Sequence, residues 1–264
     1  MSDLPGSLRA ALEAFVQRPR ILIGADFDGT LAPFATDPMK SRAAPGAFTS
    51  LYAAASLPGV TVALVSGRDL ATLRTLTGIP QTSPIVLIGS HGGQSSLRGI
   101  EASATIDQDA SARLAAAQAD LQLVAEAHPG TRVEIKPGAV ALHTRGADAS
   151  VGEAALAAAL AVSTRHTGVQ VIPGKQVLEL TVLETDKGSA LRALAADRGV
   201  DAIAYFGDDV TDERAFAALD PEAGDVTVKV GEGDTLATYR LNTVGDVVLA
   251  LDVTLSARQS ASRV

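Results

Sequence analysis

Five short stretches of this chain are apolar on both of the faces a β-strand would present, and each stops in small, polar or acidic residues. They are RILIGADF from Arg20, VTVALVSG from Val60, PIVLIGSHG from Pro84, AIAYFGDD from Ala202 and VTVKVG from Val226. A strand with one wet face alternates; these do not, so each needs cover on both sides. Helical patterns separate them, at residues 45–57, 70–76, 187–198 and 212–219. Strand–helix alternation predicts an α/β fold with a doubly wound parallel sheet, which binds ligands at the carboxyl ends of its strands. Hydrophobic residues make up 47% of the 264, enough for a sizeable core, but aromatics are 3% and Trp is absent. The core must therefore be built from Ala, Leu, Val and Ile.

The middle of the chain has a different period. Residues 107–127 read as an Ala-rich helix, and TRVEIKPGAVALHTR, from Thr131, alternates on either side of PGA, as a half-buried hairpin does. A second Ala-rich helix covers 150–164, followed by VQVI and KQVLELTV. This αββαββ block is expected to be a smaller α+β cap inserted over 107–182, leaving 1–106 and 183–264 as the core. In the hairpin Val133, Ile135, Val140, Leu142 and Thr144 share one face, expected to pack on the helices; Glu134, Lys136, His143 and Arg145 share the other. Lys175 and Glu179 likewise alternate away from Leu178, Leu180 and Val182. The polar face is either an ordinary solvated surface or one that closes over a site and hydrogen-bonds a polyhydroxylated ligand.

A net charge of -8 argues against non-specific nucleic-acid binding and against an anionic membrane surface. With no Cys, disulfides and thiolate metal sites are excluded, which suits a cytoplasmic location. The first residues, MSDLPGSLRA, lack a signal-peptide pattern, and no apolar run approaches the ~18 residues of a membrane span. Composition turns polar at TLSARQSASRV, so roughly the last eight residues are expected to be disordered.

Chemistry-bearing residues gather at the ends of the apolar runs. Period-2 geometry aims Asp26 and Asp28 to one side of a strand exit, with Gly29 permitting a turn and Thr30 offering a hydroxyl. Two such carboxylates repel unless a divalent cation relieves them, and hard Mg²⁺ prefers oxygen ligands. Asp208, Asp209 and Asp212 follow another run; they read either as an acidic helix start or as partners of Asp26 around a shared ion. Ser66 with Gly67 could hold a phosphate oxygen or form a plain turn. Lys187 in a helix's first turn opposes the helix dipole unless an anion is near, a surface Lys being the alternative. His91 in GSHGG is either catalytic or a packed structural residue. There is no GxxxxGK[ST] phosphate loop, and GEGDTL from Gly231 reads as a turn. Nucleophile, second acid, hydroxyl, cation and metal ligands together suit phosphoryl transfer.

DFDGTL, the Ser of LVSGRD, the Lys of DKG and the acids of GDDVTDE resemble, in order, the four motifs of haloacid dehalogenase-type phosphatases. SHGG, VEIKPGAVALHTR, GKQVLEL, DKGSAL, GDDVTDERAF and VGEGDTLATYRL extend the resemblance to the trehalose-6-phosphate phosphatases, over residues 21–251. Departures are Gln94, where members often carry Glu, and TVLETDKG, which lacks the usual Pro and Gly.

The resemblance implies a Rossmann-like core with an inserted cap, Mg²⁺ as cofactor and trehalose 6-phosphate as substrate. It makes Asp26 the nucleophile that forms an aspartyl-phosphate, and Asp28 the acid and then base, with its carbonyl on the metal. Ser66 and Lys187 hold the phosphoryl group. Asp208 completes the metal site, supported by Asp212 and Asp209. Gly29, Gly67, Arg68 and His91, and in the cap Glu134, Lys136, His143, Arg145, Lys175 and Glu179, are assigned to substrate. A trehalose-6-phosphate synthase is the expected partner, and a monomer is the default state. Alternative readings are action on sucrose phosphate or another sugar phosphate, phosphomannomutase-like transfer, or a silent sugar-phosphate-binding subunit; the filled catalytic positions argue against silence.

Overall fold

The structure is a computed structural model and describes residues 4–97, 106, 108–136, 138–182 and 185–261. The chain begins with α1 (Gly6–Phe15), β1 (Ile21–Ala25), α2 (Ala47–Ala55), β2 (Val60–Val65), α3 (Leu70–Thr77), β3 (Val86–Gly89) and β4 (Gln94–Ser95). Next come α4 (Gln108–Ala127), β5 (Arg132–Lys136), β6 (Ala139–His143), α5 (Ala149–Ser163), β7 (Gln170–Gly174) and β8 (Val177–Thr181). It ends with α6 (Lys187–Arg198), β9 (Ala202–Gly207), α7 (Val210–Ala218), β10 (Val226–Val230), β11 (Tyr239–Leu241) and α8 (Val244–Ala261). Two compact units result, Met1–Ala102 with Asp186–Val264, and Ser103–Thr185. The insert edges expected at 107 and 183 lie outside the described residues.

All five both-face-apolar runs are strands of the first unit's sheet, whose order is β11-β10-β9-β1-β2-β3-β4. Its pairs are parallel except β3 with β4. The chain builds outward from β1 through β2 to β3, then returns to β9 on the other flank of β1. Strand order therefore reverses between β1 and β9, and sheets of this kind bind ligands at the carboxyl ends beside such a reversal. Ala25 lies opposite Leu64 on β2 and Phe206 on β9, so the loops after these three strands leave the sheet at one level. Both faces of β1 are covered: Ile21 and Ile23 pack with Leu8, Leu12, Leu51 and Leu251, and Leu22 packs with Leu191, Leu194 and Phe216. Each such side chain contributes about 1.5–3 kcal/mol.

Three helices depart from the expectations. The sequence reading passed over α1, although Leu8, Leu12 and Phe15 recur at helical spacing and are buried. More significantly, α8 continues to Ala261 through the segment expected to be disordered, and of that segment only 262–264 lie outside the described residues. The reason is Arg258, whose guanidinium donates to the carbonyls of Val16, Arg18 and Pro19, each at 2.7 Å, and Pro58 at 3.1 Å. A polar residue with four tertiary acceptors holds a helix whose composition alone would not. The helix expected at 212–219 starts earlier, at Val210, because Asp209 caps it.

The second unit is an antiparallel sheet of order β5-β6-β8-β7. Val140, Leu142, Leu178 and Leu180 pack beneath Ala117 and Leu121 of α4 and Ala155, Ala159 and Val162 of α5. Ile135, expected in that apolar face, is instead 65% exposed, because β5 is an edge strand. Pro137, in the expected PGA turn, lies outside the described residues. Among the described residues no helix is long and apolar enough to cross a membrane.

Candidate active site

Asp26 is the first residue beyond β1, the central strand. Its amide donates to Phe206 O of β9 at 2.9 Å, and its Oδ1 accepts from Phe27 N at 2.6 Å. Lys187, 1% exposed at the start of α6, donates from Nζ to Asp26 Oδ2 and to Asp212 Oδ1, each at 2.8 Å. The anion that a first-turn Lys needs is thus supplied by two carboxylates. Asp186 caps the helix by accepting from Ser189 N at 2.8 Å. Burial pushes the Asp26 carboxyl well above the ordinary range; Lys187 pulls it down, and Asp212 and Asp208 push it up again. Burial alone would lower the Lys187 ammonium, but Asp212 and Asp26 more than offset this and hold it above the usual lysine range.

Asp212 is fully buried and has both oxygens committed. Oδ1 also accepts from Tyr205 Oη at 2.6 Å, and Oδ2 accepts from the amides of Asp208 and Asp209 at 2.9 Å each. Its carboxylate thereby fixes the loop that carries Asp208. Thr30 donates to Asp208 Oδ1 at 3.1 Å. Asp208 is raised to about 7, by burial first and then by Asp212, against Lys187 and Thr30. Gly29, at φ 85°, turns the chain so that it skirts this carboxylate; a Cβ there would strike it.

Asp28 has partners of its own. The strand has ended at Ala25, and Leu31 and Ala32 fold back onto Phe27 O, so period-2 geometry stops applying. The Asp28 carboxylate takes a two-pronged contact from Arg68, Nε to Oδ2 at 2.5 Å and Nη2 to Oδ1 at 2.8 Å, plus Ser41 Oγ at 2.9 Å. Arg68 belongs to the loop after β2, where buried Ser66 Oγ accepts from Arg68 N at 3.2 Å. The His91 turn packs on this loop: His91 N donates to Ser66 O at 3.0 Å, Ser90 N to Arg68 O at 2.8 Å. Gly67 has no room for a Cβ, which would run into the His91 imidazole. Ser90 and His91 hold φ of 50° and 53°, successive left-handed residues that favour Gly and so store strain. Gln94, one of the departures, accepts from Leu70 N at 2.8 Å and Ser90 Oγ at 3.3 Å, tying this turn to α3.

Among the described residues, Asp26, Asp208 and Asp212 each offer a carboxylate oxygen, all within 4.8 Å of one another. Three hard oxygen donors in one cluster, two of them on the Lys187 ammonium, fit a divalent cation such as Mg²⁺. Each Asp212 oxygen already accepts two hydrogen bonds, against one for each Asp26 oxygen and one for Asp208 Oδ1, so the coordinating capacity rests chiefly on Asp208 and Asp26. The carboxylates of Asp28 and Asp209 stand outside the cluster; Asp209 Oδ1 accepts from Val210 N at 2.8 Å as a helix cap.

In the second unit, the polar sheet face brings four of the expected residues into two pairs. Lys136 Nζ donates to Glu179 Oε2 at 2.5 Å, and His143 Nε2 lies 2.6 Å from Glu134 Oε2. Glu134 and Glu179 both lie beside Ala141 in the register, so the pairs are neighbours. Arg145 and Lys175 sit in the turns after β6 and β7 and are exposed. The His143 hydrogen bond is the main reason that Glu134 is lowered to about 2 from 4.5, with burial opposing it. A depressed carboxyl contributes stability above its unfolded value and loses it as pH falls toward the folded one. The urea midpoint should therefore fall between about pH 5 and about pH 3, and less steeply in Glu134→Gln. Equal slopes for the two proteins would mean that the pair adds no stability.

Tyr205, Ser41 and Lys229 escaped the sequence reading. A hydroxyl and an ammonium inside strands buried on both faces each require a partner, and that requirement was the available signal. Ser41 carried no signal.

A profile of the trehalose-phosphatase family matches residues 24–244. The trehalose-phosphate phosphatase of Mycobacterium marinum is 35% identical over 253 residues, covering 91% of this chain. The chain spans only 62% of that relative's own length. The bifunctional trehalose-6-phosphate synthase/phosphatase of Thermoproteus tenax is 33% identical over 235 residues, 88% of this chain and 31% of the relative. Among solved structures, the C-terminal domain of Candida albicans trehalose-6-phosphate phosphatase superposes with a TM-score of 0.81 at 22% identity, covering 94% of this chain and 96% of that one. That likeness shows a shared fold.

Proposed function

Because the chain belongs to the trehalose-phosphatase family, we propose that it hydrolyses trehalose 6-phosphate to trehalose and phosphate, with Mg²⁺, through an aspartyl-phosphate on Asp26. The observation that carries this reading is the buried Asp26–Lys187–Asp212 array at the strand-order reversal, with Asp208 beside it. Asp26 attacks the phosphorus, the bond to the sugar oxygen breaks, and Asp28 gives that oxygen a proton. Asp28 then takes a proton from water, which attacks the phosphoryl group and frees Asp26. Arg68 and Ser41 orient Asp28, and Arg68 must release one of its oxygens for each proton transfer. Lys187 and Ser66 neutralise and position the phosphoryl oxygens. Asp26 and Asp208, with the Asp28 carbonyl, would hold Mg²⁺, which when bound would supply positive charge to offset the negative charge of the carboxylates and the phosphoryl group.

The insert chooses the sugar in this reading, through the donors and acceptors of Glu134, Lys136 and Glu179. A synthase acting beforehand is the natural partner; the two activities named together in the Thermoproteus tenax relative support that pairing. The test is phosphate release from trehalose 6-phosphate, sucrose phosphate and p-nitrophenyl phosphate, each with Mg²⁺ and with EDTA. Trehalose 6-phosphate with Mg²⁺ should be the best substrate, EDTA should abolish turnover, and Glu179→Ala should raise KM for the disaccharide far more than for p-nitrophenyl phosphate. Failure to release phosphate from trehalose 6-phosphate, with Mg²⁺ present, sinks the reading.

A further inference from the structure

β10 reads Val-Thr-Val-Lys-Val and is buried at every position, so Lys229 places an ammonium where an apolar residue would serve the core better. It is 5% exposed and lies opposite Gly207 of β9, the residue before Asp208. Its Nζ donates to the backbone carbonyl of Asp208. Glu213 of α7 has its Oε1 at 4.0 Å from that Nζ. Oε1 is buried without a hydrogen-bond partner, while Oε2 accepts from Leu236 N at 2.7 Å.

We propose that Lys229, braced by Glu213, is a positioning residue that fixes the Asp208 backbone and so sets where its carboxylate meets the divalent cation; this rests on the reading of Asp208 as a metal ligand. Asp208 is then held at three points: the carbonyl by Lys229, the amide by Asp212 and the carboxylate by Thr30. A ligand carboxylate held this way loses little freedom when the ion arrives. Groups that orient a metal ligand from behind typically change affinity about 10–100-fold when removed. A pure charge effect has the opposite sign: an ammonium near a dication repels it, so deleting the ammonium would tighten binding.

The experiment is calorimetric titration of the whole chain with Mg²⁺ alone, for wild type, Lys229→Met, Lys229→Arg and Glu213→Gln, with urea midpoints in EDTA as a measure of folding. Lys229→Met should weaken Mg²⁺ about 10–100-fold, Lys229→Arg should recover most of the loss, and Glu213→Gln, which keeps the acceptor for Leu236 N, should weaken it several-fold. KM for trehalose 6-phosphate at saturating Mg²⁺ should stay close to wild type. Mg²⁺ binding by Lys229→Met that equals or exceeds wild type overturns the proposal, as does an Arg variant no better than Met. Should Lys229→Met fail to fold, Glu213→Gln with wild-type affinity overturns it instead. A wild-type chain that binds no Mg²⁺ removes the functional reading itself, a result distinct from unchanged variants of a binding wild type.

Discussion

Asp26→Asn will lower phosphate release from trehalose 6-phosphate by roughly 10³-fold or more, because an amide oxygen cannot take the phosphoryl group that a carboxylate accepts. The substitution is nearly isosteric, so the site keeps its shape, and Lys187 retains Asp212 as a counter-ion. Burial already pushes the Asp26 carboxyl upward, which means that its ionised form is held at a cost to the fold. Without added Mg²⁺, the variant's urea midpoint should therefore equal or exceed that of wild type at neutral pH. This pairing of lost turnover with undiminished stability separates a missing nucleophile from a damaged protein. Near-normal turnover by the variant would remove the covalent route.

Lys187→Ala should show the reverse balance, losing both stability and turnover. Two buried carboxylates share that one ammonium at 2.8 Å, and its removal leaves them uncompensated. Breaking a buried ion pair from one side typically costs about 3–5 kcal/mol. Lower pH should relieve the defect, since a carboxylate that loses its cation binds a proton more tightly; the gap from wild type should narrow as pH falls from about 8 to about 5.5. Mg²⁺ should narrow it as well, by supplying positive charge to the same acids. Urea midpoints across that pH range, with and without Mg²⁺, provide the measurement. A variant as stable as wild type would mean that Asp26 and Asp212 do not depend on Lys187 for charge.

The strands were legible because a run apolar on both faces has few alternatives to a covered parallel sheet, and their acidic or small terminal residues marked the ligand end. The gathering of Asp26, Lys187, Asp208 and Asp212 followed from strand ends sharing one rim. What escaped depends on contacts remote in sequence. The polar tail at Arg258 is helical because carbonyls about 200 or more positions earlier accept from it. Ile135 lost its expected burial because strand order put β5 at an edge, which periodicity does not encode. Asp28 lies in the turn beyond the strand, and its partner Arg68 could not be read from spacing.

The Asp26 carboxylate and the Lys187 ammonium are separated by 161 positions along the chain. A ribosome adding about 5–20 residues per second needs roughly 8–32 s to cover that distance. During that interval the central strand has emerged without the neighbour, β9, that flanks it in the finished sheet, and its terminal acid has no counter-charge. The nascent first half is thus a sheet with an open apolar edge, most exposed to mispairing or to chaperone capture while the insert is still being made.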